Sequence, residues 1–383
     1  MTKTSARITT FLFIALVLVL GALSLRPLFG YKAKTGLSPV NGELARHLES
    51  HYDDQFPAKD LGTNLWAAIN YTLFDEGRQG VVVGQDEWLF TDEEIYPASR
   101  DGEVVNRNLH RVQQIADHLL AEGIPLVVLV VPAKARIYSE KLGSTRPEPV
   151  MASLYEAFQQ SLAQAGIPAP ELKPALEQAQ RHGEPVFLRT DTHWTPAGAN
   201  LFAKGAAEYI RARFNGLSWG EKTFVTSIGQ PEEHRGDLLN YIPVDPAFSE
   251  YGPAPDQLIP RITRADGDDQ ADADALFGDD STSTVLVGTS YSANELWDFP
   301  GALRKHLGRD LINVAEEGDG PIVPMVSYLS SSDFRDQPPQ LVIWEFPERY
   351  LAQPLESGKA VAWFRQADNM LTAQADSHSE TNP

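Results

Sequence analysis

The chain opens on its most hydrophobic stretch. From Ile8 to Leu25 the sequence ITTFLFIALVLVLGALSL carries no charge, with Lys3 and Arg7 ahead of it and Arg26 behind. As a helix rising 1.5 Å per residue it would reach roughly 27 Å, close to the hydrocarbon thickness of a bilayer. It has no polar face, which argues against a core helix of a water-soluble domain. Leading positive charge keeps the N-terminus cytoplasmic and sends the rest outward. The run is longer than most cleaved export signals, and LRPLFGY after it offers no A-x-A site. The expectation is an uncleaved signal anchor over residues 1–30, with the remainder exported.

Beyond it the pattern shortens. Residues 31–55 are polar and weakly patterned, an approach segment. At Val81 two apolar runs flank Gly84-Gln85-Asp86-Glu87, the signature of a hairpin. Leu109, Val112, Ile115, Ala116, Leu119 and Leu120 recur at helical spacing and stop at Gly123. Pro125–Pro132 (PLVVLVVP) follows, a continuous apolar run typical of a strand buried on both faces. Val186–Arg189, Thr284–Gly288, Leu311–Val314 and Leu341–Phe346 are further buried-strand expectations, with helices over Ala197–Phe214 and Leu303–Leu307 between them. Alternation of this kind predicts an α/β domain, a parallel sheet with helices on both faces. Its expected span is 56–365, followed by a polar tail, 366–383. Ala265–Asp280 holds seven aspartates and almost no core residues; without EF-hand ligand spacing it reads as a solvated insertion.

Composition narrows the function. At 42% hydrophobic and 22% charged, the chain has ample core material. The net charge of −20 opposes nucleic acid binding, which needs concentrated Lys and Arg. With no cysteine, disulfides, thiolate metal sites and Cys nucleophiles are excluded.

Two segments carry candidate chemistry. In Leu188-Arg-Thr-Asp-Thr-His-Trp-Thr-Pro-Ala-Gly-Ala199, Asp191 and His193 stand two apart, between a short strand and a helix capped by Thr195 with Pro196 at its first position. Residues i and i+2 of an extended loop project to one side. The carboxylate can then hold one imidazole nitrogen while the other faces a cleft, as a general base requires. The plainer reading is an exposed histidine beside a capping aspartate. In Thr284-Val-Leu-Val-Gly-Thr-Ser-Tyr-Ser292, a buried strand ends at Gly288 and Ser290 follows where sites form in parallel sheets. The Ser290 or Tyr291 amide could face a developing oxyanion. Here the plainer reading is a serine-capped turn, and Ser292 is a competing hydroxyl. His234 is the rival base, while His47, His51, His110, His118 and His306 read as helix surface. A metal site at Asp191, His193 and His234 lacks an HExxH-type ligand pair, so no metal and no cofactor are expected.

Taken in order, Gly80–Phe90 (GVVVGQDEWLF), Val130–Tyr138 (VVPAKARIY), RTDTHWTPAGA, GTSYS and Trp344–Leu351 (WEFPERYL) resemble the alginate O-acetyltransferase group of SGNH-hydrolase-like proteins, typified by AlgJ and AlgX. The likeness spans roughly Phe56 to Leu351. It implies an SGNH-hydrolase-like sheet and a triad of Asp191, His193 and Ser290, in circularly permuted order because Asp and His precede the nucleophile. It also implies acetyl transfer to an exopolysaccharide in the periplasm, at the inner membrane. Implied partners are the polysaccharide acceptor, a membrane-bound O-acyltransferase delivering acetyl, and other acetylation subunits. Arg349 and Tyr350 become candidates for substrate positioning, against an ion pair of Arg349 with Glu345 or Glu348. AlgX-like members carry a carbohydrate-binding module after the catalytic domain; residues 352–383 leave no room for one, which favours the AlgJ-like branch. Two other readings compete: a non-catalytic scaffold of an export complex, which would tolerate Ser290→Ala, and a periplasmic acetylesterase, which would use water.

Overall fold

The structure, a computed structural model, describes residues 3–100, 102–267 and 284–366. The aspartate-rich segment from 268 onward and the tail from 367 onward lie outside the described residues. Two compact units are present, Met1–Arg78 with Ile242–Pro253, and Gln79–Tyr241 with Ala254–Pro383.

In the first unit, α1 (Lys3–Phe29) is long and apolar enough to cross a membrane, with the candidate span at Arg7–Phe29 and its most apolar stretch unburied. Helix α2 (Glu43–Gln55) is tied to its C-terminal end. The Tyr31 hydroxyl meets His47 Nδ1 at 3.1 Å, and His51 Nε2 donates to the Pro27 carbonyl at 3.2 Å. Helix α3 (Lys59–Phe74) follows after three residues, and its buried Asn64 donates to the Asp245 carbonyl.

The second unit begins with the expected hairpin. Strands β1 (Val81–Val83) and β2 (Leu89–Thr91) pair antiparallel, and Asp86 and Glu87 both take positive φ, as a primed turn demands. Helix α4 (Glu103–Ala121) leads into β3 (Leu126–Val131), then α5 (Lys134–Ile137), α6 (Pro149–Gln164), α7 (Lys173–Arg181) and α8 (Pro196–Arg213). Short antiparallel pairs follow. These are β4 (Phe224–Ile228) with β7 (Arg261–Ala265), and β5 (Glu232–His234) with β6 (Asp256–Leu258). The chain continues through β8 (Thr284–Val287), α9 (Ser290–Ala293), α10 (Phe299–Leu307), β9 (Ile312–Asn313), α11 (Ile322–Leu329), α12 (Ser332–Asp336) and β10 (Leu341–Pro347), and the last described residues, 358–366, are helical.

Strands β3, β10, β8 and β9 form one parallel sheet in that order. Alternate residues feed two cores. Val127, Leu129, Leu286 and Ile343 pack with α7, α8 and α10, while Val128, Val130, Val285, Val287 and Trp344 pack with α4, α6 and α11. A strand with both faces in core favours apolar residues throughout, which is why β3 reads as a continuous run and β10 as one interrupted only by Glu345. Two expectations fail. Val186–Arg189 is no sheet strand; it makes a single bridge, Phe187 to Trp194, because the amides of Arg189 and of Thr190 after it bond to Asp256 instead of a neighbouring strand. Leu311–Val314 gives not a buried strand but the short edge strand β9, where Ile312 is 47% exposed.

Candidate active site

The loop from Leu188 to His193 is closed at its base by that bridge and by Leu188 N–H donating to the His193 carbonyl at 3.1 Å. Thr195 then caps α8, accepting from Gly198 N–H at 3.0 Å, with Pro196 in the first turn. Alternation along the loop divides its side chains. Thr190 gives its amide (2.8 Å) and hydroxyl (2.6 Å) to Asp256, and Thr192 gives its amide (2.8 Å) and hydroxyl (2.5 Å) to Asp237. Asp191 and His193 are left to bond each other, with the Thr192 hydroxyl 3.2 Å from His193 Nδ1. Gly236 is required close by, since a Cβ there would overlap the Thr190 carbonyl.

Below the loop lies Lys134, wholly buried at the start of α5. Its ammonium donates to the carbonyls of Asp191 (2.7 Å), Leu188 (3.1 Å) and Arg189 (3.3 Å). Burial lowers it to about 8, against the pull of Glu94 and Asp191. Glu94 is also buried and accepts the amides of Lys134 and Ala135 at 3.2 and 2.8 Å.

Asp191 is the hub. One oxygen accepts the His193 amide (2.9 Å) and Nδ1 (2.7 Å); the other accepts His234 Nε2 (3.0 Å) and the Asp237 amide (3.1 Å). Burial would raise this carboxyl, but the bonds from His193 and His234 outweigh it and hold it far below the usual carboxylate range. The same bond raises His234 above an ordinary histidine. The rival base of the sequence thus sits on the second oxygen of the same carboxylate. His193 Nε2 reaches Ser290 Oγ at 2.7 Å. Its ring lies on Trp297, with centroids 5.0 Å apart and planes 21° apart, and leans on Tyr291 at 4.7 Å.

Ser290 stands at the carboxyl end of β8, on the first residue of α9. The turn is pinned from behind by Glu345 of β10. Glu345 Oε2 accepts the Thr289 amide (3.1 Å) and the Ser292 hydroxyl (2.6 Å), and Oε1 the Thr289 hydroxyl (3.2 Å). Gly288 is needed because a Cβ would come within 2.5 Å of Glu345 Oε2 and 2.8 Å of Ser292 Oγ. Burial pushes Glu345 up to about 7, opposed by these same hydrogen bonds. Ser292, the competing hydroxyl, is 1% exposed and committed to Glu345.

Arg349 and Tyr350 lie on the turn after β10. Arg349 is buried, with Nε donating to Glu93 at 3.1 Å and Nη1 to the Tyr291 hydroxyl at 3.3 Å, which in turn donates to the Thr192 carbonyl. Its ion pair is therefore with Glu93, not Glu345 or Glu348; Glu348 pairs with Arg136 at 2.9 Å. Tyr350, under the Arg349 guanidinium, lines a cavity of about 520 Å³ with Glu93, Asn108, Gly320 and Leu355. Asp191, His193 and Asp237 present ligand atoms within 4.8 Å of one another. Both His193 nitrogens are nevertheless committed, to Asp191 and Ser290, and Asp237 holds the Thr192 hydroxyl. The donor set fits a proton relay better than a metal site.

Sequence reasoning picked out Asp191, His193 and Ser290, which the structure brings together, but missed what holds them: Lys134, Asp237, Asp256, Trp297 and the contacts of Glu345. Two signals were available. A lysine three residues after a fully apolar strand, and a glutamate inside an otherwise apolar one, are each too costly to bury without a task.

Comparison with known proteins agrees with this architecture. The family model for the SGNH hydrolase-like domain, acetyltransferase AlgX, matches residues 81–348. The probable alginate O-acetylase AlgJ of Pseudomonas fluorescens is 47% identical over 360 residues, covering 93% of this chain and 91% of that protein. Among solved structures, the O-acetyltransferase domain of Pseudomonas putida AlgJ superposes with a TM-score of 0.68 at 43% identity, covering 76% of this chain and 99% of that one. AlgX of Pseudomonas aeruginosa gives 0.56 at 25% identity, covering 79% and 66%. With its parallel sheet, family match and sequence kinship in agreement, the chain belongs to the SGNH hydrolase-like acetyltransferase family of AlgX and AlgJ, on the AlgJ side.

Proposed function

We propose that this protein O-acetylates alginate in the periplasm through an acetyl-enzyme on Ser290. His193 takes the Ser290 proton as the oxygen attacks the donor's carbonyl carbon, and returns it to the leaving group. A sugar hydroxyl, deprotonated by the same imidazole, then attacks the acetyl carbon, the bond to Ser290 Oγ breaks, and the imidazolium returns the proton to that oxygen. Asp191 fixes the tautomer and stabilises the imidazolium. The first amides of a helix have no acceptor within it, and that of Ser290 is our oxyanion donor. Arg349 and Tyr350 position substrate in this reading, Tyr350 from the cavity wall and Arg349 through the Tyr291 hydroxyl. Residues 1–30 anchor the chain in the inner membrane, 31–55 connect, 56–365 carry the acetyltransferase domain and 366–383 form a tail. The donor is delivered by a membrane-bound O-acyltransferase, alongside other acetylation subunits.

The observation that carries this reading is the unbroken path from Asp191 through His193 to Ser290, with both imidazole bonds at 2.7 Å. Kinship with proteins named alginate O-acetylases supplies the acceptor. The test is complementation of a strain lacking this gene. The wild-type chain should restore acetyl ester to the secreted polymer, while Ser290→Ala, present at equal level, should not. Full acetylation by Ser290→Ala would leave the scaffold reading in its place.

A further inference from the structure

Helix α3 is built inside out. Its buried side presents Asn64 and Ala68, and its water-facing side presents Leu61, Leu65, Trp66 and Leu73, which are 55%, 45%, 61% and 71% exposed. Leu61, Leu65, Ile69 and Leu73 recur every fourth residue, so they form one stripe along the helix, with Trp66 beside it. From Leu61 to Phe74 there is no charged residue, and Phe74 is itself 59% exposed. A helix of a water-soluble domain turns its apolar stripe inward. One that turns it outward, contiguous and uncharged, has its partner outside the fold.

Two observations select the partner. Helix α2, three residues upstream, is hydrogen-bonded through His51 to the Pro27 carbonyl, and its His47 meets Tyr31, so it is fixed at the outer end of α1. The stripe also contains a tryptophan among leucines, the composition that settles at the boundary between headgroups and acyl chains. We infer that α3 lies on the surface of the bilayer that α1 crosses, with Leu61, Leu65, Trp66 and Leu73 sunk into the outer leaflet.

This inference rests on the anchor reading of α1. It adds a second, surface attachment that would restrict how the exported body tilts over the membrane. Helices seated this way bury their apolar face about 5–10 Å into the headgroup and acyl boundary.

The absence of cysteine makes the test direct. Single cysteines at Val17 (α1), Leu65, Trp66 and Leu73 (α3), and at exposed Gln164 as the control, are introduced into the full chain. Each is labelled with an environment-sensitive fluorophore and reconstituted into phosphatidylethanolamine–phosphatidylglycerol vesicles, with and without brominated lipid. The inference expects blue-shifted emission at Leu65→Cys, Trp66→Cys and Leu73→Cys, quenched by bromine near the glycerol end of the acyl chains. Val17→Cys should be quenched by deeper bromine and Gln164→Cys by none. Labels at 65, 66 and 73 that emit as in water while 17 is in lipid would overturn the inference alone, leaving the stripe to another protein. Labels shielded without lipid quenching, with the same cysteines left unlabelled cross-linking between copies, would overturn it in favour of self-association. A water-exposed label at 17 would overturn the anchor reading and this inference together.

Discussion

At the residue scale the site is governed by how one buried carboxylate is shared. Asp191 accepts from two imidazoles and two amides, and His193 alone extends to Ser290. His193→Ala should therefore slow acetyl transfer by about 10² to 10⁴. His234→Ala should cost less, about tenfold, since the His193 bond persists; single-turnover acetylation rates check both. Equal losses would give His234 a direct part in the chemistry. Glu345 carries a sign that can be worked out. Its folded pKa, about 7, lies above the usual carboxylate value of about 4.3, so the fold holds this proton more tightly than the unfolded chain. Its contribution to stability is full below about pH 4.3 and is lost as pH rises through 7. Glu345→Gln should remove that slope, and should lower the acetylation rate less than about tenfold, because its amide oxygen can still accept from the Thr289 amide and Ser292 hydroxyl while the Thr289 hydroxyl can accept from its nitrogen. Denaturation midpoints at pH 5 and pH 8 check the first part; parallel pH dependences in the two proteins would contradict it.

Elements explain what the sequence could and could not reveal. Strands β3, β8 and β10 are legible because two cores demand apolar residues at nearly every position, Thr284 and Glu345 being the exceptions, and Thr195-Pro196 marks the start of α8 for local reasons alone. Strands β5 and β6 are not legible. EEH and DQL are polar, and they pair only because the fold brings them together, setting His234 opposite Asp256 below the loop. The Leu188–His193 loop mimics a strand's composition at its start, yet its backbone is satisfied by Lys134, Asp256 and Asp237, all distant in sequence. Removing that support is a test at this scale. Lys134→Met should cost about 3–5 kcal/mol, as when one partner of a buried polar cluster is deleted. Chemical denaturation checks this, and a loss below about 1 kcal/mol would show that the loop holds itself. Gly288→Ala should act differently, crowding Glu345 and Ser292. It should depress the rate of acetylation more than it depresses the denaturation midpoint.

On the scale of the whole molecule, charge and attachment dominate. The chain carries −20, and the proposed acceptor is a polyuronate, also an anion. Their encounter is repulsive, and salt screens it over about 8–10 Å at physiological strength. Raising ionic strength should therefore increase kcat/KM for the polymer while leaving that for a neutral sugar nearly unchanged. A fall for the polymer would point to a basic groove that the overall charge conceals. The N-terminal helix, expected over 8–25 and observed over 3–29, is the part of the molecule most legible from sequence, since a bilayer-length apolar run needs no tertiary context.

The proposal stands or falls on whether Ser290 becomes acetylated. The full-length protein, given an activated acetyl ester and digested, should carry one added acetyl of about 42 Da in the peptide containing Thr289-Ser290-Tyr291. Ser290→Ala should abolish it. Ser292→Ala should retain it, because that hydroxyl is spent on Glu345. An acetyl mapped to any other residue and retained in Ser290→Ala would contradict the account.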